Sequence, residues 1–90
     1  MRITFNPAKR AKTLDDRGLD FARAGGIFER PHATRADSRK EYGERRLITV
    51  GYLDGRLVVV IWTSRGRARR IISMRKANER EIARFVRDMG

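Results

Sequence analysis

Apolar and polar positions in the second half of the chain follow the pattern of consecutive β-strands, with many Val, Ile, Leu, Thr and aromatic residues. The predicted strands are residues 45–53, 56–64 and 67–74. Asp54-Gly55 and Arg65-Gly66 separate them, and an Asp-Gly pair between apolar runs is a strong signal for a two-residue hairpin turn. Antiparallel pairing is the consequence. Residues 57–62 are all apolar, so the middle strand is expected to be covered on both faces.

The first twenty residues predict a strand followed by a helix. Polar and apolar residues alternate over 2–5, and Asn6 and Pro7 then supply an N-cap and a favoured first helical position. Gly18 is a natural helix terminator. One face of this helix is expected to pack closely because its residues are small or apolar. That face carries Ala8, Ala11 and Leu14.

Weaker signals follow in the next segment. A second short helix is expected from Asp20, with Phe21 and Ala24 facing inward, and it should end at Gly25-Gly26. Residues 30–39 include a proline among polar and small residues, which fits either an edge strand or a loop.

The periodicity becomes helical again after residue 74. Asn78 and Glu81 have the spacing of a capping box, in which each side chain caps the other's backbone N–H. The helix that follows is amphipathic, with an apolar stripe of Ile82, Phe85, Val86 and Met89. The sequence therefore predicts a single α+β domain over residues 1–90: a twisted antiparallel sheet, two amino-terminal helices and one carboxyl-terminal helix.

Composition narrows the function. The chain has 22 Lys and Arg against 11 Asp and Glu, a formal net charge of +11, which favours a polyanion or an acidic protein as partner, with nucleic acid first among these. It has no cysteine and one histidine, so a zinc cluster is excluded, and no carboxylate cluster suggests magnesium or calcium. No glycine-rich phosphate loop is present, so a nucleotide cofactor is not expected. The longest apolar run is far shorter than the roughly 20 residues of a membrane helix, and no secretory signal is seen. We expect a cytoplasmic protein without membrane contact.

Basic residues concentrate between positions 65 and 87. Alternation along the last predicted strand places Arg67 and Arg69 on one face with Arg75 at its end, so that several guanidinium groups are expected to converge. Arginine suits phosphate because its planar fork donates paired hydrogen bonds and stays charged. A solvated basic face without a dedicated site is the alternative interpretation.

A ribonuclease that uses no metal needs a base for the ribose hydroxyl, a cationic cradle for the phosphate and an acid for the leaving oxygen. Lys9 is a candidate base because neighbouring positive charge favours its neutral form. The other possible bases are Glu44, Lys12 and His32, the arginines are possible acids, and Tyr42 or Tyr52 could stack or donate a proton. His32 is expected to lie on the surface, and Glu44 is equally consistent with a structural ion pair. Trp62 and Phe85 are expected to be core residues.

Three segments together resemble the BrnT family of bacterial type II toxins, small basic ribonucleases with a fold like that of the RelE toxins. ITFNPAKRAKTLDDRGLDF is similar to the family's amino-terminal pattern, and YGERRLITVGYLDGRLVVVIWTSRG to its Gly-Glu-Arg entry into a hydrophobic hairpin that ends in Arg-Gly. RIISMRKANERE resembles its most recognisable signature, a strand ending on Ile-Ser, an arginine two residues later and a capped helix with Glu. Nearly the whole chain is covered.

The resemblance implies a metal-independent endoribonuclease that inhibits translation. It puts Arg75 and Arg65 at the active surface, with Lys9 nearby and Glu44 as a supporting group; these are the predicted catalytic residues. The predicted nucleic-acid-binding residues are Arg46, Arg67, Arg69, Arg80 and Lys12. The chain departs from the family at Asn6, where Asp is common, and at Asp16-Arg17, which replaces a Lys-His pair.

The resemblance also implies a ribbon-helix-helix antitoxin similar to BrnA, a 2:2 complex and operator DNA bound through the antitoxin. A net charge of +11 is consistent with occlusion of the basic surface by an acidic segment. Two other interpretations stay open: a noncatalytic RNA- or DNA-binding module, and a degenerate toxin that survives as a corepressor subunit.

Overall fold

The computed structural model describes residues 2–89 and contains one five-stranded sheet with three helices in that range. The strands are β1 (Arg2–Phe5), β2 (His32–Ala36), β3 (Leu47–Leu53), β4 (Arg56–Arg65) and β5 (Ala68–Lys76). The helices are α1 (Pro7–Arg17), α2 (Gly25–Phe28) and α3 (Glu79–Met89), with a 3-10 turn at Phe21–Arg23. The α+β class predicted from the sequence is confirmed.

The sheet has the order β1-β5-β4-β3-β2. Strands β3, β4 and β5 are joined by tight turns and pair antiparallel, as predicted. The edge strand β2 pairs antiparallel with β3, so the edge-strand alternative for residues 30–39 is the correct one. At the other edge β1 runs parallel to β5, and the expectation of an all-antiparallel sheet is wrong. The alternation of polar and apolar residues in β1 does not indicate whether β1 pairs parallel or antiparallel with a strand more than sixty residues away.

Helix α1 begins and ends as predicted, but it does not pack as predicted. The Asn6 side chain accepts hydrogen bonds from the N–H groups of Ala8 and Lys9, and Gly18 ends the helix with φ 69°. No residue of α1 is buried, and Leu14 is 39% exposed. The helix is attached to the rest of the molecule through polar groups instead; one of these is Arg17, whose guanidinium donates to the Met74 carbonyl at 2.7 Å.

The predicted second helix is shorter and starts in a different place. Asp20 caps the 3-10 turn at Phe21–Arg23, and the glycine pair expected to end the helix begins α2. The inward-facing residues were nevertheless predicted correctly, since Phe21 and Ala24 are completely buried. The spacing of apolar residues in this segment therefore predicted which side chains enter the core, but it did not predict where the helix begins and ends.

The main core lies between the sheet and the 3-10 turn with α2. Its sheet side is formed by Val58, Val60, Trp62 and Met74, and Phe21, Ala24 and Ile27 pack onto it.

The middle strand, β4, is buried on both faces, as its apolar run predicted, because Val59 on the opposite face is only 1% exposed. Trp62 is a core residue as expected and donates a hydrogen bond to the Thr49 hydroxyl at 2.8 Å.

Close packing of α2 on β3 depends on Gly51. A Cβ at this position would lie 2.7 Å from Cγ2 of Ile27 and 3.1 Å from Cβ of His32. The absence of a side chain at Gly51 thus lets α2 and the edge strand β2 approach the sheet together.

Helix α3 lies on the opposite face of the sheet. The capping box is confirmed, since Asn78 and Glu81 exchange side-chain hydrogen bonds with each other's backbone N–H at 2.9 and 2.8 Å. Phe85 is buried and meets Tyr52 edge-on, with ring centroids 5.6 Å apart. The rest of the apolar stripe is exposed, with values of 41% for Ile82, 52% for Val86 and 44% for Met89.

Acid should weaken one ion pair that holds α1. Arg10 binds Asp20 through two hydrogen bonds of 2.8 and 2.7 Å, and this lowers the pKa of Asp20 to about 2. Because the folded-state pKa is depressed, the stabilisation is complete above the unfolded pKa of about 4 and disappears as the pH falls toward 2. We expect Asp20→Asn, which keeps the cap oxygen, to lower the free energy of unfolding by about 1 kcal/mol at neutral pH.

Urea unfolding of both proteins at neutral pH and near pH 2.5 measures this difference. The gap between them should narrow strongly at the lower pH. A gap that is the same at both pH values would mean that the carboxylate charge of Asp20 contributes nothing to stability.

Candidate active site on the basic face of the sheet

A β-bulge in β5 decides which face each of its side chains occupies. Trp62 of β4 stands opposite Ile71, but the preceding residue, Ile61, stands opposite Ser73. Ile72 is therefore left without a partner, and strand alternation changes phase at this point. The alternation of side chains along β5 therefore cannot be carried across Ile72 to decide which face a residue occupies.

The bulge separates Arg69 from Arg75. The Arg69 guanidinium carbon lies 3.9 Å from the ring centroid of Phe28 and 5.3 Å from that of Trp62, on the face that carries the helical core. Arg75 lies on the other face, and Arg67 is in the turn before β5. The predicted convergence of Arg67 and Arg69 with Arg75 is thus wrong. It assumed regular side-chain alternation along β5, and the unpaired residue Ile72 interrupts that alternation.

The same bulge brings a different set of residues together. Thr63 and Arg65 alternate with the core residues of β4, and the register places Arg70 directly opposite Thr63. Arg65 and Arg70 are diagonal neighbours across the two strands, so their Cα atoms are about 7 to 8 Å apart and their side chains can reach one ligand. We call this side of the sheet the basic face, and it carries Arg65, Arg70, Ser73 and Arg75.

The basic face is extended rather than focused on one point. Arg75 stands opposite Val59, six residues along β4 from Arg65, which corresponds to about 20 Å. Arg70 and Ser73 occupy the positions between them. The register therefore favours contacts with successive parts of a polymer over contacts of Arg65 and Arg75 with the same phosphate.

Arg75 is held by the first turn of α3. Its two terminal nitrogens donate to the two carboxylate oxygens of Glu81 at 2.7 and 2.8 Å. These hydrogen bonds raise the pKa of Arg75 and lower the pKa of Glu81. Glu81 also accepts the Asn78 N–H, so the same carboxylate caps the helix and orients the guanidinium.

Arg65 is oriented in a similar way by Glu44. One Glu44 oxygen accepts from Arg65 at 3.0 Å and the other from Arg46 at 3.4 Å. The Arg46 guanidinium also lies over the Tyr42 ring, 4.0 Å from its centroid. Both oxygens of Glu44 are thus engaged with cations, as a structural ion pair requires.

A further arginine, Arg39 in the loop before β3, acts electrostatically on Arg75. Arg39 forms two 2.8 Å hydrogen bonds with Asp37, whose side chain is fully buried, and these bonds lower the pKa of Asp37 and raise that of Arg39. The positive charge of Arg39 opposes the effect of Glu81 on the pKa of Arg75. Sequence reasoning did not identify Arg39, because a loop has no periodicity that assigns it to a face.

A family model described as a ribonuclease toxin, BrnT, of type II toxin-antitoxin systems matches residues 5–81. The chain belongs to the BrnT family. Membership implies an RNA substrate and a cognate antitoxin. A search of curated proteins gave no match. None of the helices within residues 2–89 has the length and apolarity needed to cross a membrane.

The BrnT match extends over the basic face and stops at the first turn of α3. Arg70, which the sequence-based site did not include, opens the segment RIISMRK that supported the resemblance. That segment is the signal from which it could have been found. The predicted catalytic roles of Arg65, Arg75, Lys9 and Glu44 stay predictions.

Lys9 and Lys12 approach the basic face from its β5 edge. Both line a cleft of about 290 Å³ between α1 and β5, together with Ile72 and Ser73. Lys12 pairs with Asp16 at 2.9 Å. Ser73 precedes Arg75 by two residues on the same strand face, so this cleft adjoins the middle of the basic face.

The other titratable candidates lie away from this arrangement. The Nδ1 atom of His32 is 2.7 Å from the Arg30 carbonyl, and its ring meets Phe28 edge-on on the side of the helical core. Arg80 lies on α3, in a groove described below. Within residues 2–89, no three His, Asp or Glu side chains come together in a group that could hold a metal ion.

Proposed function

We propose that this BrnT-family chain is a metal-independent endoribonuclease that binds RNA along the basic face. The observation that carries the proposal is the alignment of Arg65, Arg70 and Arg75 on one face of the sheet, with two of them oriented by carboxylates. Oriented guanidinium groups stabilise the negative charge that develops on a phosphodiester during cleavage.

In this mechanism the ribose 2′-hydroxyl attacks the adjacent phosphorus. A base takes the hydroxyl proton, the bond to the 5′-oxygen breaks, and that oxygen receives a proton; the products are a cyclic phosphate and a 5′-hydroxyl. Arg70 and Arg75 stabilise the charged phosphorane, and Lys9 is the proposed base because its cleft adjoins Ser73. Glu44 is assigned to holding Arg65, since both its oxygens already bind cations.

The proposed partner is a ribbon-helix-helix antitoxin similar to BrnA, in a 2:2 complex that also binds operator DNA. The net charge of +11 supports an acidic antitoxin segment that covers the basic face. With RNA as its substrate, we place the action of the toxin in the cytoplasm.

The second candidate is a protein that binds nucleic acid without cleaving it. One form of this candidate is a degenerate toxin that acts as a corepressor. One observation favours it: Asp16-Arg17 stands in place of the Lys-His pair that the resemblance to the family implies. Induced expression without an antitoxin distinguishes the degenerate form, because only an active toxin would arrest growth.

Purified protein incubated with RNA in EDTA tests the catalytic proposal. We expect cleavage that leaves cyclic phosphate ends and that does not depend on added divalent cations, because the required charge comes from arginine. Heat-inactivated protein is the control for contaminating nuclease. RNA that stays intact after long incubation at high protein concentration would contradict the proposal and support the noncatalytic candidate.

A further inference from the structure

A groove separates α3 from strands β2 and β3 on the basic face. Its volume is about 430 Å³, within the range of roughly 300 to 1,000 Å³ that is typical of small-molecule sites. The apolar lining is provided by Ile48, Val50 and Phe85, together with Ala33. Such a surface can accept the face of a flat ring.

Charged side chains surround this apolar floor, with three cations against the two carboxylates of Glu81 and Asp88. Arg35, Arg80 and Arg84 all line the groove. Arg84 is 3.9 Å from Asp88, a long ion pair, whereas Arg35 and Arg80 have no ion-pair partner within 4 Å among residues 2–89. An apolar floor with unpaired arginines beside it is complementary to a ligand that combines a ring with a negative charge.

The groove is continuous with the proposed cleavage site. Glu81 lines it and at the same time binds both terminal nitrogens of Arg75. A polymer whose phosphate contacts Arg75 would therefore place a neighbouring unit at the groove. Arg84, Phe85 and Asp88 lie beyond the family match, which ends at residue 81, so this wall is not part of the matched region.

We propose that the groove binds one nucleotide of the RNA substrate, next to the phosphodiester held at Arg75. Its base lies over Val50 and Phe85, and its phosphate binds Arg35 and Arg80. The inference rests on the proposed function and adds a position at which the enzyme selects its substrate. The groove suits a nucleotide better than an amphipathic helix, since a helix presents anchors over two turns and needs an interface of about 1,000 Å² or more.

Binding measurements test this proposal independently of catalysis. The probes are short RNA oligonucleotides made resistant to cleavage by 2′-deoxy substitution and varied at one base at a time. Affinity is measured by fluorescence anisotropy with the full chain. We expect Arg80→Ala and Val50→Phe, which fills the groove, each to weaken binding of the best oligonucleotide about tenfold and to flatten the preference at one position.

Arg56→Ala is the matched control, because it removes one charge from the other side of the sheet, beside Leu14 and Gly18. It should leave the base preference unchanged. Arg80 is exposed, so its variant reports on the groove even if Val50→Phe fails to fold. Base preference and affinity that match the wild type in Arg80→Ala and in any folded Val50→Phe protein would overturn the proposal.

Two further outcomes separate the groove from the rest of the mechanism. Variants that keep RNA binding but lose binding of the cognate antitoxin would show a protein-docking groove and overturn the nucleotide assignment. A wild-type chain that does not cleave RNA, but whose base preference depends on Arg80 and Val50, would contradict the proposed nuclease and still support the nucleotide site.

Discussion

Replacing Arg75 by alanine will lower the rate of RNA cleavage by about 100-fold or more. The expected size of the effect follows from the loss of one oriented donor for the charge that develops on the phosphate. Arg75 is well placed for this role because Glu81 fixes both of its terminal nitrogens in the resting protein. Initial rates on a defined RNA in EDTA provide the measurement.

Two comparisons make the Arg75 result specific. Arg56→Ala removes the same charge from the opposite face and should retain nearly full activity. The unfolding midpoint of Arg75→Ala should fall, because its two bonds to Glu81 are lost, but the protein should stay folded at the assay temperature because Glu81 keeps its capping bond to Asn78. A folded Arg75→Ala protein with wild-type activity would falsify the assignment of Arg75 to the reaction.

Replacing Met74 by alanine will destabilise the fold by about 3 kcal/mol. Met74 is completely buried in the main core, and truncation of a buried large side chain loses its transfer free energy and leaves a cavity. A domain of this size has a total stability of only about 5 to 10 kcal/mol, so much of it would be lost. Urea denaturation followed by tryptophan fluorescence measures the change, since Trp62 belongs to the same core.

Met74→Leu is the matched control for this core position. It keeps nearly the same apolar volume and should cost less than about 1.5 kcal/mol. If both substitutions cost the same small amount, the region around Met74 is not packed as tightly as its burial indicates.

The parts of the fold that were predicted correctly depend on short-range signals. The turn at Asp54-Gly55 is an example, because both residues adopt positive φ, of 53° and 74°, as the favoured two-residue hairpin requires. The caps at Asn6 and Asn78 are equally local, since each side chain bonds a backbone group two or three residues away. Such signals are complete within a few residues and can be identified without knowledge of the rest of the chain.

The errors concern relations that no short segment specifies. The parallel pairing of β1 with β5 joins residues more than sixty positions apart. The bulge at Ile72 adds one unpaired residue to an otherwise regular strand, and it moved Arg69 off the predicted site and Arg70 onto the basic face. The hydrogen bonds that Arg75 donates to Glu81 depend on the position of α3 on the sheet, so the capping box alone did not reveal them.

If Arg75 binds RNA as proposed, the substrate phosphate and Glu81 compete for the same guanidinium group. A phosphate that takes the guanidinium of Arg75 deprives Glu81 of its cationic partner, and the start of α3 loses an attachment to the sheet. By thermodynamic reciprocity, anything that tightens this attachment weakens RNA binding by the same factor, and RNA loosens the helix in return. Under the proposed mechanism, the stability of the eleven-residue helix α3 therefore helps to determine how tightly the protein binds RNA.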